Sequence, residues 1–288
     1  MLTLIADGGA TKTDWCLAEN GQQLNRIITM GMNPFQASED LIRKILHEGL
    51  LPQIPPEAAH AQIFYYGAGC TPEKCITMAQ LLKEIFPHSP NIQVMSDLWG
   101  TARALCGHKP GIACILGTGC NSCYYDGKTI TKNTPPLGYI LGDEGSGNAL
   151  GRLLLNHVLK GLLPPNVSKM FFEETKLSYT EILDRVYKQP MAGRFLASLA
   201  PFVGQHKDEP ALHELIILNF RQFFQKNISP YGHTDIAVNF IGGLANAYAH
   251  ELREAAALEG YLVGRIEQSP IPGLLKFHNE SQPPTDNK

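Results

Sequence analysis

The sequence predicts an α/β protein made of two similar domains, each with a mixed β-sheet, that flank a central cleft. The first half reads in the order β-β-β-α-β-α-β-α, in which three antiparallel strands continue through helices into parallel ones. The second half restarts this order at residues 111–116. At 288 residues the chain is long enough for about two domains.

The first half alternates short apolar runs with turn residues. Strands are predicted at 2–6, 14–18, 24–30, 63–66 and 92–95. Ser38 is expected to cap a helix, and Thr71 followed by proline opens a second one, which Pro87 closes. The last strand ends at Ser96-Asp97, and a third helix runs on through Leu105.

The second half begins with the apolar run 111–116, a Gly/Thr turn and a return strand at 122–125. The glycine-rich segment 142–147 leads into an amphipathic helix that includes 153–159, and several helices are expected over 168–228. A strand is predicted at 236–241, and a helix follows it from Gly242-Gly243. The predicted domains are 1–105 and 106–278, with a helical insertion in the second and a polar tail at 279–288.

Composition limits the classes of partner. Hydrophobic residues make up 44% and charged residues 18%, and the net charge of −3 argues against a nucleic-acid or acidic-membrane binder, whose affinity rests on excess Lys and Arg. Seven cysteines, an odd number in a long chain, favour reduced thiols over a disulfide framework. No apolar run approaches the ~18 residues that span a bilayer. We therefore expect a cytoplasmic protein without nucleic-acid or membrane partners.

Two Gly/Thr hairpins are the most informative feature of the sequence. One follows the first strand at 7–13 (DGGATKT), and the other follows the strand 111–116 at 117–121 (GTGCN). Glycines let backbone N–H groups approach an anion, and threonine adds a hydroxyl donor. Either hairpin alone could equally be an ordinary β-turn, but the matched pair favours two phosphate loops that face one cleft.

Several other motifs resemble known binding sites but lack a residue that those sites require. Gly127-Lys128-Thr129 looks like the end of a P-loop, yet Ser122 stands where that motif requires glycine. Residues 117–122 lack the third glycine of a dinucleotide-binding turn. Cys120 and Cys123 form a lone CxxC without a second ligand pair, and a spacing of three within a strand points side chains to opposite faces.

For three acidic or polar segments the residues alone leave the alternatives open. Asp97 lies where open α/β sheets place a ligand, but aspartate is also a good helix N-cap. Asp143-Glu144 could be a favourable charge at a helix N-terminus, and Asn33-Pro34 could be a turn.

With these motifs placed, the chain resembles the acetate-and-sugar-kinase/heat-shock-chaperone/actin superfamily, and within it the BadF/BadG/BcrA/BcrD ATPase family that includes N-acetylglucosamine kinases. The resemblance runs from Asp7 to about His278. It rests on five segments in order, DGGATKTDW (7–15), SDLWGTA (96–102), ILGTGCNSCYYDG (115–127), LGYILGDEGSG (137–147) and IGGLANAY (241–248). It implies two ribonuclease H-like (actin-like ATPase) domains and the use of ATP and Mg²⁺.

The resemblance also implies roles for individual residues. Asp97 is the implied catalytic base, and Asp7 lies near the metal. The implied ATP-binding residues are Gly9, Thr11, Thr118, Gly242 and Gly243, with Lys12 as an extra phosphate contact. The implied sugar-contacting residues are Asn33, Asp97, Cys120, Asn121, Gly138 and Asp143. Two departures affect the sugar site, since Pro136-Leu137 replace a Gly-Trp pair and Cys120 replaces a serine.

The resemblance therefore predicts an ATP-dependent sugar kinase for an amino sugar such as N-acetylglucosamine, with a small-molecule sugar as partner and a homodimer left open. One alternative is an ATPase activator of a dehydratase, which would carry an iron–sulfur cluster on cysteines at a helix N-terminus. The cysteines here fall within a predicted strand, which disfavours that role. The other alternative is a non-catalytic nucleotide-dependent switch, for whose large insertions 288 residues leave little room.

Overall fold

The computed structural model describes residues 1–9 and 11–280, which form two compact units. The first unit comprises residues 1–109 together with the segment from Ser269 onward, and the second comprises 110–268. The sequence assigns 106–278 to one domain, whereas the C-terminal helix of the structure packs in the first unit. A Cβ atom at Gly273 of this helix would lie 2.3 Å from the Ala104 carbonyl oxygen, so the two backbones are in direct contact. Of the predicted tail at 279–288, residues 281–288 lie outside the described residues.

The first unit contains a five-stranded mixed sheet in the order β3-β2-β1-β4-β5. Its strands are β1 (Leu2–Gly8), β2 (Lys12–Glu19), β3 (Gln22–Met30), β4 (Gln62–Gly67) and β5 (Ile92–Ser96). β1 pairs antiparallel with β2 and parallel with β4, and β5 continues the parallel half. The predicted meander and its parallel extension are confirmed.

The second unit repeats the same topology, with the order β8-β7-β6-β9-β10. Its strands are β6 (Gly111–Leu116), β7 (Cys120–Tyr125), β8 (Ile130–Lys132), β9 (Val238–Ile241) and β10 (Val263–Glu267). The sequence did not predict the edge strands β8 and β10. β8 has only three residues, and β10 carries Gly264, Arg265 and a register shift, so neither has the alternating apolar pattern of a half-buried strand.

The helices connect the strands within each unit. The described residues contain, in chain order, α1 (Glu39–Lys44), α2 (Pro72–Ile85), α3 (Asp97–Cys106), α4 (Gly138–Leu141), α5 (Gly147–Leu159), α6 (Pro165–Thr175), α7 (Tyr179–Tyr187), α8 (Ala192–Ala197), α9 (Ala200–Gln205), α10 (Pro210–Phe223), α11 (Gly243–Ala247), α12 (Ala249–Leu258) and α13 (Ile271–Glu280). The predicted caps form, since Ser38 Oγ accepts from the N–H of Leu41 at 3.3 Å and Thr71 Oγ1 from that of Lys74 at 3.4 Å. No described helix combines the length and the apolar character that a membrane span requires.

Each unit has its own apolar core. In the first unit, Trp15 and Tyr65 pack with their ring centroids 6.0 Å apart between the sheet and the helices. In the second, α10 places Phe220 and Phe223 against β9 and α12, and the core also takes in the helices that follow α5. Each core fixes the strand ends and hairpin of its own unit.

Candidate functional site

Two carboxylates lie at the carboxyl edge of the first sheet. Asp7 is next to the last residue of β1, and Asp97 is the first residue of α3, directly after β5. Burial raises the pKa of Asp7 to about 7, and the negative charges of Asp97 and Asp14 raise it further. Parallel strands end at the same edge of a sheet, which brings the two carboxylates close enough for the charge of Asp97 to raise the pKa of Asp7.

The structure separates the two interpretations of Asp97. Ser96 has extended dihedral angles and occupies the N-cap position of α3, so Asp97 is the first helical residue and not the cap. Its Oδ1 accepts a hydrogen bond from the N–H of Leu98 at 2.9 Å. Burial raises the pKa of Asp97, while this N–H opposes the rise. The capping alternative is wrong, and Asp97 is a half-buried carboxylate with an elevated proton affinity.

The first hairpin brings backbone and cationic groups beside these acids. The N–H of Gly9 donates to the carbonyl of Lys12 at 2.9 Å, and the carbonyl of Thr11 accepts from Gly31 at 3.0 Å. The positive charge of Lys12 lowers the pKa of Asp7, against the larger effect of burial. The predicted residues Gly9, Thr11 and Lys12 therefore form one turn next to Asp7.

Tyr65 supports this edge from below, and the sequence did not single it out. A Cβ atom at Gly8 would lie 2.3 Å from Tyr65 Oη, and one at Gly67 would lie 2.4 Å from the same ring. The ring therefore packs directly beneath the ends of β1 and β4. Tyr65 lies in the apolar run 63–66, which predicts a buried strand and nothing more.

Asn33 forms a turn, as one interpretation of the sequence expects. Its Oδ1 accepts from the N–H of Phe35 at 2.9 Å, and its side chain packs so closely on Gly69 that a Cβ there would be 2.1 Å away. Gly69 has φ +74°, a conformation in which other residues are strained.

The second hairpin is bonded to the start of α5. The N–H of Gly147 donates to the carbonyl of Gly117 at 2.8 Å, and the N–H of Asn148 donates to that of Thr118 at 3.0 Å. Gly117 also bonds across the hairpin to Gly119 at 3.0 Å. The turn and the helix N-terminus thus form one rigid backbone unit.

A cavity of about 650 Å³, here called the glycine-rich pocket, opens beside this turn within the second unit. It is lined by Gly117, Thr118, Gly147, Ala197, Ala200, Pro201, Gly204, Gln205, Gly243, Leu244, Ala247 and Tyr248. The predicted residues Thr118 and Gly243 therefore line one cavity. Gly242, which precedes Gly243, has φ +132°, and a Cβ there would lie 2.2 Å from the Leu116 carbonyl oxygen.

Asp143 is held in a fixed orientation next to the same hairpin. It is only 6% exposed and adopts φ +58°. Its Oδ1 accepts from the N–H of Cys120 at 3.3 Å, and its Oδ2 accepts from Asn148 Nδ2 at 2.7 Å. Burial raises its pKa, and these two donors counteract the rise. Asn148 is a positioning residue that sequence reasoning missed, although a lone polar residue in the small, apolar first turn of α5 was a usable signal.

Cys120 and Asn121 begin β7 immediately after the turn. Burial, with the charge of Asp143 in addition, raises the pKa of the Cys120 thiol, so it stays protonated at neutral pH. The side chain of Asn121 is anchored, because its Oδ1 accepts from Ser122 N–H at 2.9 Å and from Asn133 Nδ2 at 3.0 Å.

Gly138 lies in a loop that returns to Asp143. Leu137 and Gly138 have φ of +61° and +72°, and the N–H of Asp143 donates to the Pro136 carbonyl at 2.8 Å. Arg152 donates to the carbonyls of Tyr139 and Gly142, which holds the loop against α5. Leu137 is 61% exposed, so its side chain is available for contact.

The rejected motifs are ordinary structural features. Asp126 Oδ1 accepts from the N–H groups of Lys128 and Thr129 at 2.8 and 2.7 Å, which makes the Gly-Lys-Thr segment a turn. Cys120 and Cys123 are buried in β7, as expected, and do not lie at a helix N-terminus. Within residues 1–9 and 11–280, three or more His, Cys, Asp or Glu residues nowhere form a group that could hold a metal ion.

Comparison with known proteins identifies the family. A solved structure from Porphyromonas gingivalis, a candidate N-acetylglucosamine kinase, is 43% identical with a TM-score of 0.94, over 97% of this chain and 99% of that one. The chain belongs to the N-acetylglucosamine kinase family. This is the family that the sequence resemblance predicts, and its two-sheet α/β fold is the predicted one.

Two more distant proteins are also similar to this chain. The N-acetyl-D-glucosamine kinase of Dictyostelium discoideum is 29% identical over 168 residues, which are 54% of this chain. That match spans about half of the Dictyostelium protein, 53% of its length. A second candidate N-acetylglucosamine kinase, from Chromobacterium violaceum, shares the fold with a TM-score of 0.64 at 20% identity, over 96% of this chain and 98% of that one. No protein-family model matches the chain.

Proposed function

We propose that this member of the family is an ATP-dependent sugar kinase that acts on N-acetylglucosamine or a related amino sugar. The observation that carries the proposal is the glycine-rich pocket, in which a Gly/Thr hairpin, a helix N-terminus and a glycine turn meet. Such kinases need little covalent chemistry from the protein, which mainly positions the reactants and stabilises phosphate charge. The names of the relatives supply the class of acceptor.

The pocket fits a nucleoside triphosphate. The N-terminus of α5, a helix of 13 residues, lies at the Thr118 end of the pocket, where the positive end of the helix dipole favours a bound anion. The cavity of about 650 Å³ is within the usual range for small-molecule sites. Gly242 allows the backbone to approach Leu116 more closely than any side chain would permit.

In the first unit, Asp7 is the carboxylate that would hold Mg²⁺. Asp14 is already engaged, since Arg26 binds it with two hydrogen bonds of 2.9 and 2.5 Å. Asp7 has a raised pKa because burial and acidic neighbours disfavour its charge, and a divalent cation would relieve that repulsion. Mg²⁺ is typically held by one or two carboxylates together with phosphate oxygens and water, so one carboxylate suffices. When bound, it would neutralise phosphate charge, and Lys12 beside Asp7 would add a phosphate contact.

Asp97 is the proposed general base. Its burial raises its proton affinity, which suits a carboxylate that takes a proton from a sugar hydroxyl. Asp143 offers a fixed carboxylate as hydrogen-bond acceptor for another hydroxyl, and its raised pKa shows that solvent contributes little to its stabilisation. Asn33, Cys120, Asn121 and Gly138 complete the proposed sugar contacts.

Two measurements test this function. A panel of hexoses and amino sugars, assayed by ADP release with Mg-ATP, should give its highest rate with an N-acetylated amino sugar. Millimolar Mg-ATP should also raise Tm, because a ligand at a hundredfold excess over Kd stabilises the native state by about 2.7 kcal/mol. The proposal is wrong if no sugar supports ADP release and Mg-ATP leaves Tm unchanged.

Location in the cytoplasm and homodimeric assembly remain predictions of the sequence. Light scattering of the purified chain checks the second. A mass of twice the 31.7 kDa of one chain would show the dimer that the sequence leaves open, and a mass equal to one chain would show a monomer.

A further inference from the structure

The glycine-rich pocket has two ends of different chemistry. At one end lie Thr118 of the hairpin and the N-terminus of α5 at Gly147, where the positive end of the helix dipole favours an anion. Beyond them the wall is apolar and is built from Ala197, Ala200, Pro201, Leu244 and Ala247. An apolar slot next to an anion site is the shape that a nucleobase and its phosphates require.

Few polar side chains remain in the apolar part to recognise a nucleobase. The hydroxyl of Tyr248 donates to the carbonyl of Ala200 at 2.6 Å, so its proton is used within the wall. Gln205 is the other polar side chain there, and no described residue hydrogen-bonds to its carboxamide. Its donor and acceptor are therefore available to a ligand.

Gln205 belongs to α9, the helix that supplies Ala200 and Pro201 to the apolar wall. Ala197 of α8 lies next to the start of α5, because a Cβ at Gly147 would lie 3.3 Å from its side chain. Gln205 is the last residue of α9, roughly 7.5 Å of helix rise beyond Ala200, the first. Its neighbour Gly204 packs on Tyr248, where a Cβ would lie 2.8 Å from Oη, so the backbone of this segment is held in place.

We propose that Gln205 recognises the nucleobase and makes the pocket select adenine over guanine, an inference that rests on the proposed function. A carboxamide presents one acceptor beside one donor. Adenine offers the complementary pair, the N6 amino group beside the N7 acceptor. Guanine bound in the same orientation presents two acceptors on that edge, O6 and N7, so one of them would face the carboxamide oxygen without a hydrogen bond.

Equilibrium binding of ADP, GDP, ATP and GTP by calorimetry tests this without depending on turnover. The wild type should bind adenine nucleotides about tenfold more tightly than guanine nucleotides, within the range for a bidentate contact. Gln205→Leu should weaken adenine binding and bring the two affinities to within about twofold, because both hydrogen bonds are lost. Gln205→Arg should reverse the order, since a guanidinium donates to both O6 and N7.

Gln189→Leu is the matched control, because Gln189 lies in the same unit, outside the pocket, and bonds to Asp184. This control should keep the wild-type ratio of affinities. The inference is overturned if Gln205→Leu keeps that ratio too, or if the wild type binds both bases equally. If the wild type binds no nucleotide at all, the proposed function itself fails, which the sugar panel would show independently.

Discussion

The hydroxyl of Tyr66 on β4 lies 2.8 Å from Nε2 of His278 on α13. The same oxygen accepts a hydrogen bond from Nη1 of Arg103 on α3 at 2.7 Å. Because a guanidinium can only donate, the tyrosine oxygen is the acceptor from Arg103, and a neutral imidazole with its hydrogen on Nδ1 can accept the tyrosine proton at Nε2. Burial, helped by the charge of Arg103, lowers the pKa of His278 to about 3. The ring of Phe64 stacks on it with centroids 3.7 Å apart.

This arrangement predicts acid sensitivity of the fold. Below the ordinary histidine pKa of about 6.5, the unfolded chain binds a proton that the native chain refuses, so stability falls with decreasing pH toward about 3. The contribution of His278 is at most about 1.4 kcal/mol per pH unit. In urea unfolding at about pH 7, 6 and 5, His278→Gln should lower stability at pH 7 yet flatten this slope. His250→Gln, at an exposed position, should keep the wild-type slope. An unchanged slope in His278→Gln would refute the assignment.

The glycine pair at 242 and 243 supplies a second prediction with a built-in control. Gly242→Ala places a Cβ 2.2 Å from the Leu116 carbonyl oxygen at φ +132°, whereas Gly243→Ala meets nothing within 4 Å. The first variant should lose about 2 kcal/mol or more of stability, and the second less than about 1 kcal/mol. Chemical denaturation measures both. Equal losses would show that the close approach of Leu116 and Gly242 does not exist.

The loop that carries Leu137 should control which sugar is preferred. Leu137 is 61% exposed, belongs to the turn that bonds to Asp143, and does not line the glycine-rich pocket. Leu137→Trp adds a flat apolar face and an N–H donor. The ranking of sugars by kcat/KM should therefore change while KM for ATP stays within about twofold of the wild-type value. A change in the KM for ATP with the same sugar ranking would mean that the loop does not contact the sugar.

The sequence predicts strands and helices best where a local signal, such as a capping residue or an apolar run, determines the secondary structure. Ser38 and Thr71 cap the predicted helices, and the apolar runs 2–6 and 111–116 are the central strands of the two sheets. Edge strand β10 escaped prediction because pairing with β9, and not its own pattern, makes it a strand. The sequence assigned the residues of α13 up to 278 to the second domain, whereas they belong to the first unit. The pattern of the sequence does not reveal this, because the packing of α13 on α3 is a contact between distant segments.

The residues of the candidate site also fall into those that the sequence predicts and those that it does not. The glycines and acids are visible as motifs because their chemistry restricts which residue can stand there. Tyr65, Asn148 and Gln205 are not visible, since their importance comes from what packs beside them. Tyr65 matters through the glycines above its ring and Asn148 through the carboxylate it fixes. Such residues become apparent only once the distances are known.

The last prediction concerns Asp97, for which structural and catalytic roles give opposite results. Its side chain is half-buried and desolvation raises its pKa, so its charged form at neutral pH costs stability relative to the unfolded chain. Asp97→Asn removes that charge and is nearly isosteric, so the variant should be at least as stable as the wild type.

If Asp97 is the base, the same substitution should lower kcat by roughly 10²–10⁴ while the Tm shift with Mg-ATP persists. Asp14→Asn is the contrasting control, because it weakens the paired hydrogen bonds of Arg26 and should lower stability by about 1–3 kcal/mol. ADP release on the best sugar, thermal shift and urea unfolding separate the cases. Should Asp97→Asn keep more than about a tenth of the wild-type turnover, a general base worth the usual factor is ruled out at this position. Asp143, a buried carboxylate that also has a raised pKa and a proposed sugar contact, would then be the residue to substitute next.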